Sequence, residues 1–520
     1  MATIYSLVCF GGRTGKAVTI SNGSPAVSTM TDHGVRNGLP FVYATTGALP
    51  SPLVAGTTYY ARYVTATTFH TYDTEAHAKD TANTTGRIVT TTAGSGTHTA
   101  GSAYWANLST ADRLRYGAAG AELVYNGVVA WNTGRASATA YNAEVCEMCD
   151  PFVDLTPYGG NTGNYNLVIA VVAASITFTS KVKGVRSKAW HAGVPNTGYS
   201  INMPYNGYSF SSYNVTMDGY MLETANSSCV GLMKIGSVVQ NMIIKGGGTN
   251  GVGISMATGT TANNNLVYGF DTAISIPTYQ VYVHCANNTC VKNKTGIAAG
   301  AGYETTSKGS IYNNLCIGNS VKNWGVAITS EGLSNNAGLA GEAWMDTARI
   351  EIGTDWNGAT PLFMDYANND FRPYASGGVL NANSSLIVEG GLSYFGVTIS
   401  DIMDNPQPNY INGTTDMIDV GCYEFDHGNG LKPITVDVTL TNLVAGSRVR
   451  IAAISGGTEL YNDVVSGTTL SFSQVVGADT PVGVSVRKAS ASPYYQPYYT
   501  AATISAAYGL TLSVNQALDE

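Results

Sequence analysis

Along the middle of the chain, short apolar runs alternate with amides and glycines. "NLVYGF", "AISI", "QVYVH" and "GVAITS" each suit one short strand, and Gly and Asn punctuate them. None shows the spacing of an amphipathic helix. An asparagine precedes the apolar run repeatedly: Asn214 in "YNVTM", Asn241 in "QNMII", Asn265 in "NNLVY", Asn288 in "NNTCV" and Asn314 in "NNLCI". The steps between them are 27, 24, 23 and 26 residues, a solenoid-like period. The leucine ladder of leucine-rich repeats is missing. The pattern therefore predicts an all-β chain whose centre is a right-handed parallel β-helix, one coil per repeat. Stacked coils bring equivalent residues to within about 4.8 Å. That lets the five asparagines bond amide to amide as a structural ladder. Each Asn ends one strand and takes a tight turn, and the residues after it alternate into the core. Cys290 and Cys316, each two places beyond a repeat Asn, should stack inside.

The flanks read differently. Residues 16–104 alternate apolar strands with Gly and Pro turns, the pattern of a small β unit. "STADRLRYG" (109–117) predicts a short helix with Ser109 as N-cap. "NTGRASATAYNAEVCEMC" (132–149) predicts a second helix, stopped by Asp150-Pro151. In "ITVDVTLTNL" the apolar residues Ile434, Val436, Val438 and Leu440 share one face, and four more strand-like runs follow. The expected organisation is a β adaptor module over 1–104, a helical or irregular connector capping the solenoid over 105–166, the β-helix over 167–431, and a C-terminal β-sandwich over 432–520.

Composition narrows the function. Only 12% of residues are charged, with 60 Gly and 33 Tyr among 520 residues. Such a surface stays polar without long ionic side chains, and the aromatic content argues against disorder. The net charge is −8, and no dense Lys/Arg cluster is present, so nucleic acid is a poor partner. "LVIAVVAASITF" (167–178) is too short to span a bilayer, so no membrane insertion is expected. The start, "MATIYSLVCFGG", lacks the basic region of a signal peptide. The eight cysteines are scattered and predict mostly reduced, buried thiols.

Candidate chemistry is sparse. "FGGRTGKA" (10–17) misses the phosphate-loop pattern, because Phe10 replaces the first Gly and Ala17 the hydroxyl. It reads as a glycine turn. Cys146-x-x-Cys149 falls at a predicted helix C-terminus, where the dipole disfavours thiolate, and no further zinc ligands lie nearby. The seven histidines are dispersed. No metal site and no cofactor is expected.

Two stretches carry family resemblances. "DFRPY" (370–374), followed by "IDVGCYEFD" (418–426), resembles the closing coils of pectate-lyase-like β-helix proteins through Asp370, Phe371, Arg372, Asp419, Gly421, Tyr423 and Glu424. The intervening "SGGVLNANS" (376–384) departs from that pattern. His33-Gly34, Gly47-Ala48-Leu49-Pro50 and Gly56-Thr57-Thr58-Tyr59-Tyr60 resemble a β module recurrent in phage structural proteins. "VSVRKASASPYYQPYYTAATI" resembles C-terminal modules of phage virion proteins.

These resemblances imply a structural component of a tailed-phage virion: a tail fibre or spike, or a head decoration or appendage. They imply other virion proteins as partners, a homo-oligomer, with a trimer favoured, and contact with a host surface polysaccharide. They also imply an alternative, a tailspike polysaccharide depolymerase, a glycoside hydrolase or lyase, using carboxylates on the β-helix. The stretch "GEAWMDTARIEIGTDW" (341–356) offers Asp346, Glu351 and Asp355 as the acids, with Trp344 and Trp356 as a sugar subsite.

Overall fold

The computed structural model describes residues 3–134, 143–149, 152–154, 175–180, 200–203, 215–224, 228–230, 237–248, 251–277, 280, 282–300, 309–326, 333–334, 336–341, 350–376, 379–387, 421, 434–454, 459–476, 480–488, 495–504 and 510–516. The chain divides into two compact units, one built mainly on 1–375 and the other mainly on 425–520.

The larger unit is dominated by three parallel sheets of ten, nine and five strands. From Val215–Asp218 to Ala337–Leu339, consecutive strands go to different sheets. Val238–Gln240 lies in the ten-stranded sheet, Ile243–Gly246 in the nine-stranded one and Val252–Ser255 in the five-stranded one. Thr261–Asn263 then returns to the first sheet and pairs in parallel with Val238–Gln240. The next strands repeat the visit, pairing Ile243 with Leu266 and Val252 with Thr272. Parallel neighbours need a long crossover, and here the other two sheets provide it. The interior is apolar: Val239, Ile244, Ile254, Val267, Ile274, Cys290, Ile297 and Cys316 are fully buried. Cys290 and Cys316 are direct register partners, as their spacing predicted.

The parallel sheets begin earlier than residue 167. In the ten-stranded sheet, Thr3–Val8 lies between Val124–Tyr125 and Ala143–Met148, and Ser175–Ser180 follows. This corrects the helix expected over 132–149. A helix does cover Val128–Gly134, but Ala143–Met148 is a strand paired on both sides. Two parallel ladders satisfy its backbone, and that tertiary pairing overrides the helix preference of Ala, Glu and Met. The helix instead packs Trp131 edge-on against Phe178, ring centroids 4.7 Å apart. The short helix Thr110–Arg113 is present, and Ser109 caps it by accepting from the Asp112 N–H.

Between Thr3–Val8 and Val124–Tyr125 the chain builds a closed antiparallel barrel from Lys16–Ile20, Val27–Thr29, Leu39–Thr45, Thr58–Thr65, Thr68–Tyr72 and His98–Ser102. Its core is aromatic, with Phe41 edge-on to Tyr43 and Phe69. The buried Tyr43 hydroxyl meets Ser28 Oγ and Thr71 Oγ1, and burial pushes the phenol up to about 12. The entering and leaving strands touch where the Ser102 N–H donates to the Phe10 carbonyl at 2.8 Å. Gly11 and Gly15 there have φ of +74° and +75°, and a Cβ on Gly11 would come within 2.7 Å of the Ala100 carbonyl. The "FGGRTGKA" glycines thus serve a turn and a close backbone approach.

The C-terminal unit has a three-stranded sheet (Ile434–Thr441, Leu470–Val476, Leu510–Ser513) and a four-stranded sheet (Ser447–Ala453, Glu459–Val464, Thr480–Lys488, Tyr498–Ile504). Both feed one core, with Val438 and Leu440 from the first and Val449, Ile451, Val482, Val484 and Val486 from the second.

Candidate functional site

The repeat asparagines form two distinct columns. Asn265, Asn288, Asn314 and Asn336 make one ladder. Each of the first three donates from Nδ2 to Oδ1 of the next, at 2.9, 2.9 and 3.0 Å. Each acceptor oxygen also receives the backbone N–H of the residue that donates to it. Asn241 is not on this ladder, although the spacing had placed it there. Its register partner is Asn264, one residue earlier, and Met242 occupies the ladder position, donating its N–H to Asn265 Oδ1. Asn241, Asn264, Asn287 and Asn313 are the left-handed corner residues, with φ between 51° and 54°. Gly219, at φ +75°, takes the same corner one repeat earlier. Asn214 lies outside the described residues.

A second ladder was missed by the sequence reading. Asn293 Nδ2 donates to Asn319 Oδ1 at 3.0 Å, and Asn319 Nδ2 to Asn323 Oδ1 at 2.9 Å. It also follows left-handed residues, Lys292 and Gly318. The signal was available: "NNTCVKN" (287–293) and "NNLCIGN" (313–319) place a left-handed residue plus Asn at both ends of one three-residue strand.

All three residues of these strands are buried, as in Thr289–Val291 and Leu315–Ile317, instead of alternating. The sheet is covered on its second face as well. Tyr268 packs edge-on against Phe371, and Tyr366 donates its hydroxyl to the Gly318 carbonyl. Lys292 Nζ sits 4.6 Å from the Tyr366 ring centroid and donates to Asn369 Oδ1. The Asp370-Phe371-Arg372 triplet explains itself here. Phe371 is fully buried in this aromatic cluster, while Arg372 grips Asp370 through two hydrogen bonds of 2.8 and 2.5 Å.

Trp356 joins the same cluster, 4.9 Å from Tyr366 and edge-on to it. A Cβ on Gly318 would come within 2.7 Å of its indole. The indole is therefore fixed against the sheet and only partly exposed. Asp355, next to it, is exposed and accepts from the Asn383 amide at 3.1 Å. Hydrogen bonds from Thr360 and Asn383 hold its carboxyl below the usual range, so it stays ionised at neutral pH. Glu351 is exposed on the strand Ile350–Ile352. Trp344 and Asp346 lie outside the described residues.

Elsewhere, the buried Glu147 carboxylate accepts from Tyr116 and Arg115, each at 2.6 Å. The partly exposed Arg115 lies over the Tyr5 ring at 3.9 Å. Burial and the adjacent carboxylate push the Tyr116 phenol up, which keeps it a donor. Cys9, Cys146, Cys149, Cys285, Cys290 and Cys316 are buried free thiols. Among the described residues no group of three His, Cys, Asp or Glu side chains could hold a metal ion, and no helix is long and apolar enough to cross a membrane. Comparison with family models, with curated proteins and with solved structures finds no match to the chain.

Proposed function

We propose that the chain is a structural component of a tailed-bacteriophage particle, displayed on the virion as a tail fibre, spike or head appendage. In this reading the three parallel sheets wind as a right-handed β-helix, the barrel is the adaptor toward other virion proteins, and the C-terminal unit is a sandwich. The chain works as a homotrimer and meets a host surface polysaccharide. The observation that carries the proposal is the amide ladder through Asn265, Asn288, Asn314 and Asn336. It ties successive repeats together without mobile ionic side chains, which suits a stiff shaft exposed to harsh conditions.

The depolymerase alternative, in its glycoside hydrolase form, needs one carboxyl kept protonated near neutral pH beside an ionised one. Asp355 supplies only the ionised kind, and Trp356 is engaged in packing.

Gold labelling of the chain in purified particles tests the proposal, together with light scattering of the isolated protein. External label and a trimeric mass are expected. Absence from particles would overturn it. Release of reducing ends from host polysaccharide, lost on Asp355→Asn, would install the depolymerase instead.

A further inference from the structure

The outward face of the four-stranded C-terminal sheet is unusual for so weakly charged a chain. Val449 and Ile451 point into the core, so Arg448 and Arg450 point out. Arg448 lies directly opposite Arg487 on the neighbouring strand. Like charges in that position destabilise a sheet, and neither arginine has a carboxylate partner among the described residues. Arg450, by contrast, is bound to Glu459 at 2.5 Å. Beside the pair, three cross-strand partners are small: Ala452 faces Gly483, and Gly483 faces Ala501. They floor an open hollow of about 870 Å³ walled by the arginines, Ile454 and Tyr499. Ile454 is 60% and Tyr499 57% exposed, and Arg487 lies over the tyrosine ring.

We infer that this hollow binds a segment of an acidic polysaccharide, its carboxylate or sulfate on Arg448 and Arg487 and a sugar ring on Tyr499. The planar guanidinium fork suits such anions, and the bound charge relieves the Arg–Arg repulsion. A peptide adding as a strand is disfavoured, because Ser447–Ala453 and Thr480–Lys488 are hydrogen-bonded on both sides. Nucleic acid would need a longer basic track. The inference deepens the host-surface reading and rests on it for its biological setting.

The test is calorimetry of the full chain with oligogalacturonate, oligosialate and a sulfated oligosaccharide, each beside an uncharged counterpart. At least one charged ligand should bind and its counterpart should not, with affinity falling as salt rises. The double variant Arg448→Ala/Arg487→Ala should lose about tenfold to a hundredfold while melting no lower than the parent. Gly483→Leu fills the hollow, since a Cβ there meets only the Ala452 carbonyl at 4.0 Å, and should abolish binding. No binding by any charged ligand, equal binding of charged and uncharged forms, or binding that survives both variants overturns the site. Those failures leave the particle placement standing, because gold labelling judges that separately.

Discussion

Asn265 donates its side-chain amide to Oδ1 of Asn288 at 2.9 Å, and its own backbone N–H reaches the same oxygen at 3.0 Å. One buried oxygen thus satisfies two donors of the preceding repeat, while the Asn288 amide serves the Ala262 carbonyl and Asn314. Asn288→Ala takes a partner from the Asn265 backbone N–H, the Asn265 amide, the Ala262 carbonyl and Asn314 Oδ1, of which the Asn265 amide keeps the Val239 carbonyl and Asn314 Oδ1 keeps the Asn288 backbone N–H. The substitution should cost roughly 3 kcal/mol in urea unfolding, against a fraction of that for an exposed amide. Asn288→Asp should be at least as damaging, because a carboxylate cannot donate.

The neighbouring corner asks for a conformation more than for a side chain. Asn287 holds φ 51°, and its side-chain amide donates to Asn263 Oδ1. Asn287→Gly should be within about 1 kcal/mol of the parent, and Asn287→Val should lose about 2 kcal/mol. Thermal melts of the two variants separate these outcomes.

Stability should fall in alkali. Burial raises the Cys285 and Cys290 thiols, and Tyr43 goes from 10.0 to about 12. The native state therefore keeps protons that the unfolded chain releases. This contribution is complete below the unfolded thiol pKa of about 8.5 and drains away above it, by up to about 1.4 kcal/mol per pH unit per group. Tyr43 joins above pH 10. Urea titrations at neutral and alkaline pH measure the slope, and thiol labelling of the native protein should leave both cysteines untouched.

Arg372→Ala leaves the Asp370 carboxylate, only 4% exposed, without its bidentate partner. The loss should be about 2–3 kcal/mol, less than for a fully buried pair because Arg372 keeps some solvent contact. Asp370→Asn with Arg372→Ala should recover part of it, which a double-mutant cycle reads directly.

The β character and the repeat were legible because hydrophobic period and asparagine spacing are local signals. Cys290 and Cys316 stack as their spacing said. Register was harder. Asn241 and Asn265 look equivalent in sequence, yet a single position separates corner from ladder, and Met242 fills the ladder place without leaving an amide to notice. The strand Ala143–Met148 was illegible for another reason: its partners, Thr3–Val8 and Ser175–Ser180, are remote in sequence, so nothing local outweighs its helical composition. The packing of Trp356 was hidden likewise, since Gly318, against which its indole lies, comes from a remote segment.

The contact between Phe10 and Ser102 makes the barrel an excursion that leaves and rejoins the parallel sheets at nearly one point. Its two connections are neighbours, so the sheet strands on either side, Thr3–Val8 and Val124–Tyr125, pair as if the intervening chain were absent. A head of quite different size could be grafted at that junction without disturbing the body. The barrel can thus vary independently of the sheets it interrupts.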